Sequence, residues 1–267
     1  MSFFADKVVW ITGASAGLGE AMAKEFAKGK AKLVLSARRE AELQRVKSEC
    51  TKFVPAENIL ILPLDVTELS GIDDEVQKII RKFGRIDILV NNAGVSQRSY
   101  IADTPVSVER KIMEINFFGT TIITKAVLPV MRKQKSGNIA VISSIMGKFG
   151  YYRRSSYCAS KHALHGYFEV LRMEEKDHNI RVHMICPGII KTNVSANAIT
   201  ETGGSLNKMD ESHEKGMPPD VCAKKILKAI RNNRMEVFIG GFEMNSIVLK
   251  RILPGFFSRL IMKVGPK

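Results

Sequence analysis

Tyr157 and Lys161 stand four residues apart in Ser156-Tyr157-Cys158-Ala159-Ser160-Lys161, a stretch of helical character. Residues i and i+4 share a helix face, so the ammonium can stand near the phenol. A free phenol, with a pKa of ~10, is a poor proton donor or acceptor at neutral pH, and a neighbouring cation favours the phenolate. Taken alone, the pair is also what two surface residues on any helix would look like. A second pattern concerns an anion. Thr12-Gly13-Ala14-Ser15-Ala16-Gly17-Leu18-Gly19 follows an apolar run and leads directly into Glu20-Ala21-Met22-Ala23. Glycines there let the backbone turn sharply and approach a pyrophosphate, while the helix N-terminus offers free N–H groups. Gly13, Ser15, Gly17, Leu18 and Gly19 are therefore candidate cofactor contacts, against the plainer reading of a turn that needs glycine for its backbone angles. A third pattern is Leu33-Val34-Leu35-Ser36-Ala37 followed by Arg38-Arg39. An acidic residue at that point would hold a ribose 2′-hydroxyl, whereas an arginine accommodates a 2′-phosphate. Arg38 and Arg39 thus favour NADP(H) over NAD(H), although they could equally solvate a helix start.

These residues need elements to hold them. Short apolar runs predict strands near 7–12, 32–36, 58–63, 87–91, 138–143, 180–186 and 236–239, with helices near 17–29, 39–51, 72–83, 106–134, 155–177 and 218–232. Such alternation implies βαβ units and a mostly parallel, seven-stranded sheet with helices on both faces, an α/β fold. No linker interrupts it, so the 267 residues read as a single domain. Residues 1–241 would form its cofactor-binding and catalytic body. Residues 192–216 are polar, carry Gly203-Gly204 and are too long for an idle connection, which marks a substrate loop. Residues 242–267 form a tail of the same domain. Its apolar groups, from Ile247-Val248-Leu249 to Leu260-Ile261-Met262, recur at helical spacing, with Lys250, Arg251, Arg259 and Lys263 between them. Pro254-Gly255 should divide it into two short helices.

The composition is that of an ordinary globular chain, 45% apolar and 25% charged, which excludes disordered and collagen-like classes. Forty-one Lys and Arg against 27 Asp and Glu give a net charge of +14, which favours anionic partners. No nucleic-acid-reading motif accompanies that charge, so no nucleic-acid partner is expected. Cys50, Cys158, Cys186 and Cys222 show no paired or metal-ligand spacing, so buried thiols and no metal site are expected. An N-terminus without a signal-like pattern, and the absence of any run of 18 uncharged apolar residues, lead to an expected cytoplasmic location, with peripheral membrane contact as the variant.

Taken together, the motifs over roughly residues 6–240 resemble the short-chain dehydrogenase/reductase family, in its single-domain Rossmann-fold branch. The glycine turn resembles the family's cofactor motif. Asp65-Val66 follows the third strand, where the family holds the adenine, and Asn92-Ala93-Gly94 closes the fourth strand. Pro187-Gly188-Ile189-Ile190-Lys191-Thr192 is similar to the segment that lies against the nicotinamide, which implies Pro187, Gly188, Ile190 and Thr192 as cofactor contacts. Asn116 matches the helix asparagine, and Ser144, thirteen residues before Tyr157, the serine that holds the substrate oxygen. The resemblance implies a role for each. Tyr157 passes the proton, Lys161 lowers the Tyr157 pKa and binds the nicotinamide ribose, Ser144 orients the substrate oxygen, and Asn116 holds a relay water. Ser143 competes for the serine role, and strand alternation should point only one of the two into the cleft. Ala16 departs from the basic residue that many NADP-preferring members carry there.

Ser144, Met146, Tyr151, Tyr157 and Ile189 are the expected substrate contacts, and their apolar surroundings suit a lipid-like or steroid-like ketone or secondary alcohol. Finer texture is similar to the dehydrogenase/reductase member 7 group and to hydroxysteroid dehydrogenases. The leading expectation is an NADP(H)-dependent carbonyl reductase. A 3-oxoacyl-[acyl-carrier-protein] reductase is the alternative, since +14 would attract an acidic carrier; a dinucleotide-bound regulatory protein is the non-enzymatic one. The resemblance places segment 106–134 and the Tyr157 helix at a subunit interface, so a homodimer or homotetramer is expected. For the tail two readings stand open: a cover over the cleft or a neighbouring subunit, or a peripheral contact with an anionic membrane.

Overall fold

The computed structural model describes residues 2–68, 70–208 and 214–264. The short apolar runs form strands β1 (Val8–Thr12), β2 (Lys32–Ser36), β3 (Ile59–Ile61), β4 (Ile88–Asn91), β5 (Gly137–Ile142), β6 (Ile180–Pro187) and β7 (Glu236–Ile239). The helices are α1 (Gly17–Lys28), α2 (Glu40–Cys50), α3 (Ile72–Phe83), α4 (Val106–Met113), α5 (Gly119–Gln134), α6 (Ser155–Glu174), α7 (Pro219–Arg231), α8 (Asn245–Ile252) and α9 (Pro254–Val264). All seven strands join one sheet in the order β3-β2-β1-β4-β5-β6-β7, and every neighbouring pair is parallel. This is the doubly wound α/β fold that the alternation predicted. Its order reverses at β1, where Val9 pairs with Leu33 on one side and Ile88 on the other. Helices must leave in opposite directions from such a point, which opens a crevice beyond the strand ends.

Side chains of β1 alternate between two buried layers, as a pleated strand requires. Val9 and Ile11 pack with Met22, Phe26 and Ile226 on the α1–α7 face, while Val8 and Trp10 pack with Ile79 and Phe168 on the other. Strands covered on both faces read as unbroken apolar runs, which is why periodicity within them carries little signal. The ring of Trp10 also meets its one polar need inside the core, donating from Nε1 to Ser36 Oγ at 2.8 Å. Ile139, fully buried in β5, belongs to the second layer. Trimming it to valine should cost about 0.5–1.5 kcal/mol, read as a lower denaturant midpoint with an unchanged slope.

The sequence pattern predicts one helix over 106–134, and here the structure differs. α4 ends at Met113, a π-helical turn spans Glu114–Phe118, and α5 begins at Gly119. A Cβ on Gly119 would lie 2.7 Å from the Val66 carbonyl oxygen, so the chain passes too close there for any larger residue. Extra residues in π turns often mark functional positions, and this one carries Asn116.

The tail divides as expected: α8 stops before Pro254, whose missing N–H cannot continue it, and α9 begins there. Phe257 packs edge-on against Phe149, centroids 5.3 Å apart, and joins Ile145 in a small separate core. Lys250 Nζ donates to the Lys148 carbonyl at 2.6 Å. The tail therefore covers the turn after β5 rather than entering the cleft itself. All four cysteines are free and buried, and burial pushes the Cys50, Cys186 and Cys222 thiols up to about 12. Among the described residues, no helix is long and apolar enough to cross a membrane.

Candidate active site

Beyond the strand ends at the reversal point lies a cleft of about 840 Å³. Its first wall is the β1–α1 turn. Gly13 and Gly17 have φ of +65° and +58°, a region closed to most L-residues. A Cβ on Gly19 would sit 2.2 Å from the Gly13 carbonyl oxygen, so this glycine packs inside the turn while Gly13, Ser15, Gly17 and Leu18 line the cleft. The turn is stitched to the end of β4. Thr12 Oγ1 accepts from the Asn92 and Ala93 amides at 3.0 and 3.1 Å, and Asn92 Nδ2 donates to the Thr12 and Gly13 carbonyls. Ala16 supplies no side-chain cap to α1, which leaves that helix start for an anion. Glu20, one turn in, is held down at about 2, chiefly by the Arg45 hydrogen bond, and Arg45 reaches back to the Ser15 carbonyl.

Arg38, Arg39, Asp65 and Val66 form the next stretch of wall, followed by Asn92, Ala93 and Gly94. Arg38 is 70% exposed, with Nη1 4.0 Å from Asp65 Oδ2. Pro187, Gly188, Ile189, Ile190 and Thr192 line the opposite wall. Parts of the 192–216 loop close over it, including Asn193, Asn197 and Gly203, while residues 209–213 of that loop lie outside the described residues. A wall of bare backbone at the helix start, an exposed guanidinium at the end of β2 and a buried lysine opposite fit a nicotinamide dinucleotide.

Three elements bring the chemical groups together. Ser143-Ser144 directly follow β5, α6 carries Tyr157 and Lys161, and the π turn carries Asn116. The Ser144 hydroxyl stands near enough to the Tyr157 phenol to oppose the rise of its pKa, and it accepts from the Met146 amide at 3.1 Å. Ser143 borders the cleft too, but its hydroxyl turns to the Lys161 carbonyl and to His165. Lys161 is buried and donates from Nζ to the Ile142 carbonyl at 2.9 Å. Its ammonium is 5.8 Å from the Tyr157 ring centroid, and burial lowers it to about 8. Burial pushes the Tyr157 phenol up, and what opposes this is the Ser144 hydroxyl and the Arg154 cation. Asn116 is fully buried; its Oδ1 accepts from the Val95 amide at 2.8 Å and its Nδ2 donates to the Val95 carbonyl and Ser160 Oγ.

Met146 and Ile189 line the substrate end with Ser144 and Tyr157, whereas Tyr151 is not among the lining residues. Several contributors had no sequence signal. Gln97 accepts from the Ser156 and Tyr157 amides at 2.8 and 3.1 Å, so it holds the start of α6 in place. Arg154, buried in the cleft wall, donates to Ser96 Oγ at 2.5 Å, and Lys111 lines the same cleft. A side chain from 60 residues away is invisible to any local pattern.

Comparison with known proteins agrees with this geometry. Residues 7–203 match the short chain dehydrogenase family model. The chain is 40% identical over 264 residues to the dehydrogenase/reductase SDR family protein 7-like of Drosophila melanogaster, covering 98% of this chain and 81% of that one. It is 43% identical to the human dehydrogenase/reductase SDR family member 7, with 88% and 70% covered. Among solved structures, an alcohol dehydrogenase from the archaeon Thermococcus sibiricus, complexed with 5-hydroxy-NADP, superposes with a TM-score of 0.75 at 25% identity, over 88% of this chain and 97% of that one. Strand order, glycine turn and the Ser144–Tyr157–Lys161 grouping all lead to one conclusion: the chain belongs to the short-chain dehydrogenase/reductase family of oxidoreductases.

Proposed function

We propose that the protein is an NADP(H)-dependent carbonyl reductase or secondary-alcohol dehydrogenase acting on apolar, lipid-like or steroid-like substrates. The observation that carries this reading is that Ser144, Tyr157 and Lys161 line one cleft together with the apolar Met146 and Ile189. When bound, the nicotinamide supplies hydride to the carbonyl carbon or accepts it from the alcohol. Ser144 orients the substrate oxygen, and Tyr157 holds at its Oη the proton that oxygen needs. Lys161 binds the nicotinamide ribose, and Asn116 holds the π turn against Val95 beside it. The glycine turn, Asp65, Val66 and the 187–192 segment hold the rest of the cofactor, and Arg38 and Arg39 its 2′-phosphate. Residues 1–241 act as one catalytic and cofactor-binding unit, with 242–267 as its tail.

Lys111 and Arg154 line the same cleft as the apolar side chains, which suits an apolar body that also bears a polar group. A panel of ketosteroids, aliphatic diones and acetoacetyl thioesters with NADPH tests the substrate class. Selective turnover of the thioesters would favour the 3-oxoacyl-carrier reading, for which the +14 charge speaks.

Exposed apolar side chains on the outer helices, Phe118 on the π turn and Val170 and Met173 on α6, support a homodimer or homotetramer. A monomer by light scattering at micromolar concentration would contradict this. The tail leaves Phe242, Val248, Ile252, Leu253 and Phe256 exposed, with Arg251, Arg259 and Lys263 among them. That surface supports peripheral contact with anionic lipid. Cosedimentation with anionic liposomes should occur, weaken in salt and vanish on deleting residues 245–267; cosedimentation retained by the truncated chain would refute it.

A further inference from the structure

Behind the catalytic serine lies a chain of polar groups that the reaction itself does not touch. His165, one turn after Lys161 on α6, is buried. Its Nε2 is 3.1 Å from Ser143 Oγ and 3.7 Å from Cys186 Sγ; its Nδ1 is 3.3 Å from Glu236 Oε1 at the start of β7. The Nδ1 approach is poorly aligned for a hydrogen bond and acts as a close charge contact. Lys148 Nζ reaches the same carboxylate at 2.7 Å. His165 first, then Lys148, hold Glu236 down at about 2. The turn Ile145–Gly147 closes directly over the pair: a Cβ on Gly147 would lie 2.7 Å from Ser143 Oγ and 2.8 Å from His165 Nε2. The Lys148 ammonium is already paired with the carboxylate of this group.

Counting protons gives the chain two states. Nδ1 faces a carboxylate, which only accepts, so Nδ1 carries a hydrogen. In a neutral imidazole Nε2 is then an acceptor and takes the single Ser143 hydroxyl proton. In an imidazolium Nε2 is a donor, and the Ser143 proton turns to the other acceptor in reach, the Lys161 carbonyl at 3.3 Å. Either way Ser143 is held facing away from Tyr157. Because successive side chains of an extended segment point to opposite sides, that hold directs Ser144 toward the phenol.

We propose that His165 is a positioning residue for the catalytic turn: through Ser143 on one side and Glu236 on the other, it fixes the orientation of Ser144. The groups facing it are Ser143 directly after β5, Gly147 and Lys148 from the turn, Cys186 from β6, Glu236 from β7 and the Lys161 carbonyl from its own helix.

The inference rests on the reductase reading, so its test includes a measurement that needs no turnover. With the full chain, His165→Phe should lower kcat about tenfold, the scale of one misdirected hydrogen bond, while NADPH affinity stays within about twofold. His165→Gln, which keeps a hydrogen-bonding atom toward Ser143, should recover most of that loss, and it carries the comparison by itself if the phenylalanine variant fails to fold. Unchanged kcat in both variants, or equal losses of kcat and NADPH affinity in both, would overturn the proposal. Independently, Ser143→Ala should move the ¹⁵N shift of the His165 Nε2 in labelled protein. An unmoved signal sinks the chain whatever the substrate is. A moved signal, with full turnover retained by Tyr157→Phe, sinks the catalytic reading and leaves the chain standing.

Discussion

Replacing Tyr157 by phenylalanine should lower kcat by about 10²–10⁴-fold, the usual contribution of a positioned proton donor. Affinity for NADPH should change little, because the ring keeps its packing and loses only the hydroxyl near Ser144. Rapid-mixing turnover and cofactor fluorescence titration separate the two quantities. Residual kcat within about tenfold of the unmodified enzyme would remove Tyr157 from its role. The electrostatics add a direction. Burial raises the phenol above its ordinary value of 10, so it is protonated at neutral pH. A protonated phenol is ready to reduce a carbonyl, whereas alcohol oxidation needs it ionised. Oxidation should therefore accelerate as pH rises toward 10, while reduction stays flat or falls. Identical profiles for both directions would contradict that assignment.

Arg38→Asp should reverse cofactor choice. The guanidinium stands at the open end of β2, and no acidic residue precedes it at Ala37. Replacing it removes a phosphate partner and adds a repelling charge, which should weaken NADP(H) by roughly 2–4 kcal/mol, about 30–1000-fold. NAD(H) should gain or stay level, because Asp can accept from a ribose 2′-hydroxyl. Isothermal titration with both cofactors measures this. A parent chain that prefers NAD(H) in kcat/KM would remove the premise. The exposed position also predicts that the NADP(H) preference shrinks with added salt.

Much of this molecule was legible in its sequence because the signals are local. A strand buried on both faces shows as an apolar run, a helix start as a glycine turn, and a helix break as Pro254. Tyr157 and Lys161 share a helix because four residues make about one turn. Each needs only neighbours within a few positions, and each element stands within a few residues of where the periodicity put it.

What local patterns could not supply is what the sheet order brings together. The continuous helix expected over 106–134 contains a π turn because Gly119 must pass the Val66 carbonyl, a contact between segments far apart in the chain. Asn116 has the right type and place, but its amide is taken up by Val95 and Ser160. Tyr151 sits close to Ser144 in sequence and still misses the cleft lining. Gln97, Arg154 and the His165–Ser143–Glu236 chain arise only once β5, β6 and β7 lie side by side with α6 packed across them. The sequence by itself determined the elements and the reacting types, since backbone preference and periodicity are short-range. The tertiary structure alone decided which charges face Tyr157 and what holds Ser144, since a charge acts across space on whatever the fold brings near it.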